Sequence, residues 1–168
     1  MLIQPAVFAP LALFAAISTA AFRVIFFFTN QMKIHQRQEA FISKYMILPN
    51  AHERLAALTA RRGPLSELPP EERVDSALVP GCVSRVWLAG KMENGRCRFQ
   101  IHAESALVKG LAAALCELYD DAPPQEILDE EPHLFESLGI AAHLSPTRLN
   151  GLAHLRGRIA EFAASQLT

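Results

Sequence analysis

The sequence predicts an α+β domain in which a small antiparallel sheet is covered by helices. Three observations predict it. Residues 84–88 and 96–102 are two short strand-like runs, and Asn94-Gly95 between them is a hairpin turn signal. The second run alternates, with Cys97, Phe99 and Ile101 on one side and Arg96, Arg98, Gln100 and His102 on the other, the pattern of a strand with one buried face. Residues 105–119 then repeat Leu107, Leu111, Leu115 and Leu118 at three- and four-residue spacing, which gives a helix face able to cover that sheet.

The other elements follow in chain order. A helix is expected over residues 33–47, with weak periodicity. The next starts after Asn50, a helix-capping residue with Glu53 three positions on; Leu55 and Leu58 mark its face, and Gly63-Pro64 stop it. Residues 65–76, rich in Pro and Glu, form a connecting surface loop without a domain boundary. After the sheet and its covering helix, Pro123-Pro124 opens a short helix, and Gly139 closes one containing Leu134, Phe135 and Leu138. The last helix has Ser145 as cap and Pro146 at its first position, then a stripe of Leu149, Leu152, Leu155, Ile159 and Phe162; Arg156 falls on its exposed side. No repeat is present.

A chain of 168 residues with 51% hydrophobic residues and a net charge of −1 suits one globular domain. The mixed charges include no basic block, which argues against nucleic-acid binding. Three irregularly spaced cysteines without a Cys-x-x-Cys pair argue against a disulfide framework or a cysteine zinc site. A working thiol suits a reducing cytoplasm.

Residues 1–31 stand apart from this domain, residues 32–168. The first charge after Met1 is Arg23 and the next is Lys33. The stretch is long enough to cross a membrane, yet Pro5 and Pro10 interrupt it and no basic residue precedes it. Three readings stand: an over-extended start with Met32 as the true one, a membrane anchor facing the cytoplasm, and an export signal. A chain starting at Met32 is expected to fold.

Cys82 is the candidate functional residue. It follows the Pro80-Gly81 turn and precedes the strand-like Val86-Trp87-Leu88, a place from which a loop can present a thiol. Its bland reading is a small buried hydrophobe. Cys97, on the apolar face of its strand, and Cys116, beside the Leu stripe of its helix, read as packing.

Three motifs in order, Gly81-Cys82-Val83-Ser84-Arg85-Val86-Trp87-Leu88, Ala106-Leu107-Val108-Lys109-Gly110-Leu111 and His143-Leu144-Ser145-Pro146-Thr147-Arg148-Leu149-Asn150-Gly151-Leu152, resemble the SufE-type sulfur acceptor family. The resemblance covers about residue 32 to the C-terminus and leaves out residues 1–31. It implies a SufE-like fold, whose third strand is not obvious here unless the segment before Cys82 supplies it. It also implies a function. Cys82 would take sulfane sulfur from the persulfide of a PLP-dependent, SufS-like cysteine desulfurase, stimulate that enzyme, and pass the sulfur to a SufBCD-like iron–sulfur scaffold. The chain would be a sulfur-transfer partner and not an independent enzyme, with no metal or bound cofactor of its own, since the PLP chemistry belongs to the donor.

Supporting residues follow from motif and chemistry together. Arg148 matches the family's arginine and falls at the third position of the last helix, where a cation opposes the helix dipole at a cost of about 0.3–1 kcal/mol, so a carboxylate or an anionic sulfur species is its expected partner. Glu104 is the expected carboxylate, or else a cap of the helix at 105; the family usually has Ser-Asp where this chain has Ala103-Glu104. Arg85 is close enough in sequence to raise the thiolate fraction of Cys82, and otherwise is a solvated strand arginine. Trp87 packs the strand that holds the cysteine loop, or is an exposed contact residue. Two alternatives stay open: a cysteine hydrolase pairing Cys82 with His102, His143 or His154, oriented by Glu104, and an adaptor that docks a desulfurase without transferring sulfur.

Overall fold

The computed structural model describes residues 32–168 apart from 62, 64 and 83. Every reading of residues 1–31 lies outside the described residues, as does the stop signal at Pro64. Among the described residues no helix is long and apolar enough to cross a membrane.

The order of elements is α1 (Ile34–Met46), α2 (Ala51–Ala60), β1 (Val86–Glu93), β2 (Arg96–Ala103), α3 (Ala106–Tyr119), α4 (Pro124–Asp129), α5 (Leu134–Ser137) and α6 (Pro146–Ser165). The predicted α+β class is found. β1 and β2 form an antiparallel hairpin in which Leu88 faces Ile101 and Gly90 faces Phe99. Asn94 and Gly95 turn it with φ of 52° and 76°, left-handed values that Asn and Gly tolerate best. β1 continues to Glu93, beyond the expected strand end at Leu88. Its outer half, Gly90 to Glu93, is exposed and carries Lys91 and Glu93, so it shows no apolar alternation.

The third strand is reduced to single bridges. Leu78 pairs with Trp87 on the free edge of β1, while Glu67 pairs with Ile101 and Ala122 with Cys97 on the free edge of β2. These short pairings occupy both edges of the hairpin, which would otherwise be templates for aggregation. The connector over 65–76 is thus more than a surface loop. Leu68 is fully buried and its N–H donates to the Ile101 carbonyl at 3.2 Å. Leu65, Leu68 and Val74, scattered among prolines and charged residues, show no periodicity by which Leu68 could be recognised.

Helix ends follow the expected chemistry. The Asn50 side chain accepts from Glu53 N–H at 2.9 Å, and the Ser105 and Ser145 side chains cap α3 and α6. α2 ends at Ala60, before Gly63. Gly139, with φ of 69°, ends the turn after α5. α1 buries Ile34, Gln38 and Tyr45, and the polar residue within that set explains its weak sequence signal.

The core lies between the hairpin and α3, with Phe99, Ile101, Leu111, Leu115 and Tyr119 at its centre, and α6 closes it through Leu155 and Ile159. Cys97 and Cys116 are both fully buried in it. Arg156 is a correction to the sequence reading: it is 8% exposed. Its Nη2 donates to the carbonyls of Ile127 and Glu130 at 2.8 and 3.1 Å, and its guanidinium lies 4.8 Å from the centre of the Tyr119 ring. It fastens α6 to α4.

Candidate functional site

The site is a loop folded back onto two helices. Val79 N–H donates to the Val86 carbonyl at 2.8 Å, and with the Leu78 to Trp87 bridge this closes the base of the loop that carries Cys82. At its tip Gly81 has φ of 76°, a left-handed conformation that favours glycine. A Cβ there would also run into the His154 ring, whose Nδ1 lies 3.0 Å from the Pro80 carbonyl oxygen. The far side is tied to the start of α3, where Ser105 N–H donates to Ser84 Oγ at 3.1 Å and Glu104 N–H to the Arg85 carbonyl at 3.2 Å.

This turns Cys82 inward. The sequence suggested a thiol presented at a strand edge. Here Cys82 is half-buried and lines a cavity of about 190 Å³, walled by Val86, Val108, Leu111, Leu152 and Leu155, with Ser84, Ser105, Thr147 and Arg148 as its polar lining. The sulfur rests on α6: Sγ lies 2.6 Å from the point where a Cβ on Gly151 would stand. Burial pushes the Cys82 thiol above its ordinary pKa, and no charge opposes that shift. Of the two readings of Arg85, a cation that lowers the Cys82 pKa and a solvated strand arginine, the second fits the exposed side chain. Arg85 is exposed, and its guanidinium sits 4.6 Å from the centre of the Trp87 ring, a cation–π contact.

The other candidates divide. Arg148 lines the cavity, is exposed, and occupies the third position of α6 as predicted. Its expected ion pair with Glu104 is not formed, and among the described residues its side chain has no carboxylate partner. Glu104 is exposed and is not the cap of α3, a task performed by Ser105. Trp87 is 4% exposed, so it is a packing residue and not a surface contact; its ring lies against His102 at 5.7 Å.

The cysteine–histidine dyad is not assembled among the described residues. His102 Nδ1 lies 2.8 Å from Glu67 Oε1, His143 is exposed, and His154 engages the Pro80 carbonyl. Cys97 is pushed up to about 11 by burial first and then by Asp120, and Cys116 is raised further by the same causes, so neither is a ready nucleophile. The sequence named His154 only as a possible dyad base and gave Gly151 and Ser84, though they stand within the motifs, no role of their own; here all three hold the cysteine loop. Gly151 left a signal: a glycine inside a 20-residue helix costs about 1 kcal/mol relative to Ala, so it calls for a packing reason, and the sulfur of Cys82 supplies one.

Comparison with known proteins bears on the family and the fold. The family described as SufE: Fe-S metabolism associated domain matches residues 39–163. The chain belongs to the SufE family. It is 36% identical over 107 residues to a chloroplastic quinolinate synthase of Oryza sativa subsp. japonica, covering 63% of this chain and 15% of that protein. It is 32% identical over 91 residues to an uncharacterized SufE-like protein of Synechocystis sp., covering 54% of this chain and 57% of that one. The chain thus spans well under two thirds of the length of either curated relative. The solution structure of a hypothetical protein from Thermus thermophilus superposes with a TM-score of 0.62 at 24% identity, over 80% of this chain and 95% of that one, a likeness of fold. The SufE assignment places the chain in iron–sulfur metabolism.

Proposed function

We propose that this SufE-family chain accepts sulfane sulfur on Cys82 from the persulfide of a cysteine desulfurase and carries it to an iron–sulfur assembly scaffold. The observation that carries this reading is the position of Cys82, the half-buried member of three cysteines, on a glycine-hinged loop and facing a cavity with Arg148 in its lining.

Transfer needs only thiol chemistry. The Cys82 thiolate attacks the outer sulfur of the donor persulfide, the donor's S–S bond breaks, the donor thiolate leaves, and a new S–S bond forms at Cys82. Electrons balance without an oxidant, and the thiol proton of Cys82 ends on the departing donor thiolate or in solvent. Enclosure has two consequences for this step. In the cavity the sulfur is held as the thiol, so attack on a partner's persulfide requires the Pro80-Gly81 turn to carry it out to the surface. Once loaded, the outer sulfur has room in the cavity beside apolar walls that exclude competing thiols, and the cation of Arg148 is placed to stabilise it as an anion. A non-transferring adaptor would need the docking surface but not this cysteine.

The test is stimulation of a cysteine desulfurase, read as alanine released from free cysteine. The wild-type chain raises turnover, and Cys82→Ser, folded by circular dichroism, does not. Equal stimulation by both proteins would establish the adaptor reading and reject transfer.

A further inference from the structure

A second cluster lies apart from the cysteine cavity, where α1 meets the segment leading into α5. His35 and Glu39 stand one turn apart on α1 and share a face. His133, just before α5, is brought to that face by Gln38, a buried α1 residue whose Oε1 accepts from His133 N–H at 2.7 Å. One ligand atom from each of His35, Glu39 and His133 lies within 4.8 Å of the others, and all three side chains are exposed. We propose that these three residues bind one divalent cation of the zinc class.

The ring of His133 is set for it. Its Nδ1 lies 2.9 Å from Ser137 Oγ, and its Nε2 lies 3.7 Å from Glu39 Oε1. In the tautomer whose Nδ1–H donates to the hydroxyl, Nε2 keeps its lone pair and is the ring nitrogen nearer the Glu39 carboxylate. Metal-binding histidines are held in this way, the second ring nitrogen fixed by an outer partner. In that tautomer two electron-pair donors face one another, an arrangement that a cation between them stabilises. A proton on the imidazole satisfies two of the groups, whereas a cation with an open coordination sphere satisfies His35 as well. Two imidazoles and a carboxylate, with no thiolate, match the nitrogen and oxygen preference of Zn²⁺, and water would complete the tetrahedron. Ligands about 2.0–2.2 Å from a tetrahedral ion stand about 3.3–3.6 Å from one another, a closure that exposed side chains reach by rotation. No sequence motif announces the set, because the two histidines are brought together only by the packing of α1 on α5. The ion would tie these two elements together, independently of the chemistry at Cys82.

The test is calorimetric titration of Zn²⁺ into the full chain after chelator treatment, in a Cys82→Ser background so that the half-buried thiol does not compete. One ion per chain is expected, with a higher melting temperature. His35→Asn, Glu39→Gln and His133→Asn should each weaken binding at least tenfold, and Ser137→Ala, which leaves every ligand in place, roughly 10- to 100-fold. Co²⁺ should give visible d–d absorption without a thiolate charge-transfer band. Absence of saturable one-ion binding would overturn the proposal, as would binding that survives His133→Asn combined with Glu39→Gln.

Discussion

Cys82 rests against Gly151 of α6, its Sγ 2.6 Å from the point a Cβ would occupy, so the thiol has its place in the cavity only because position 151 carries no side chain. The contact joins the first and third of the motifs that mark the family. A methyl group there must displace either the sulfur or the helix. Gly151→Ala should therefore expel Cys82, raise its alkylation rate by iodoacetamide severalfold, and change stability by about 1–3 kcal/mol through overpacking, offset in part by better helix propensity. An unchanged alkylation rate would show that the loop does not hold the thiol against α6.

Burial also fixes the pH dependence of that thiol. Its pKa is raised in the folded protein, so at a given pH Cys82 carries less thiolate than a cysteine in an unfolded chain. The pH profile of iodoacetamide alkylation should be displaced to higher pH than that of the urea-unfolded protein, and Gly151→Ala should bring it back toward the ordinary value. A profile displaced to lower pH would mean that positive charge, and not desolvation, controls the site.

The two buried thiols make stability itself pH-dependent. Cys97 ionises at about 11 in the folded chain, against about 8.5 for an unperturbed thiol. Above the unfolded value the unfolded chain binds fewer protons than the native one, so stability is complete below about pH 8.5 and falls as pH rises toward 11. Urea midpoints measured on either side of that lower limit, near neutrality and in mild alkali, should show this loss, and Cys97→Ala should make it smaller. An unchanged difference in the variant would remove Cys97 from the explanation.

Arg156 was expected to be a surface residue and is instead a buried clamp between α6 and α4, with a third contact from Nη2 to Glu131 at 3.2 Å. Arg156→Ala should destabilise the fold by about 1.5–3 kcal/mol, the range for hydrogen bonds to a charged group. Arg158, partly exposed on the same helix, should cost much less. For that reason Arg158, and not Arg156, is the proper control for the charge of Arg148. At matched stability Arg148→Ala should lower sulfur acceptance at least several-fold and Arg158→Ala should not.

The contrast between Cys97 and Arg156 shows what the sequence can disclose. Alternation in β2 put Cys97, Phe99 and Ile101 on the core face because strand periodicity is a local property, and the same holds for the caps at Asn50, Ser105 and Ser145. Arg156 looked like a surface residue because its acceptors are carbonyls of α4 and the segment after it, which leave no mark in composition. Cys82 was legible as the candidate, but its inward pose was not. That pose depends on Gly151, His154 and Ser105, residues scattered along the chain and gathered only by the packing of α3 and α6 around the loop. The Arg148 to Glu104 pair failed for the complementary reason: suitable charges in sequence do not place two side chains together.

One thiol of the three, Cys82, is expected to carry the sulfur. The direct measurement is peptide mapping by mass spectrometry after brief exposure of the chain to a cysteine desulfurase and free cysteine, with persulfides trapped by alkylation. A single added sulfur on the peptide containing Cys82, none on those containing Cys97 or Cys116, and no uptake by folded Cys82→Ser is the predicted result. Sulfur uptake that persists in Cys82→Ser, or that maps to Cys97 or Cys116 in the wild type, would contradict it.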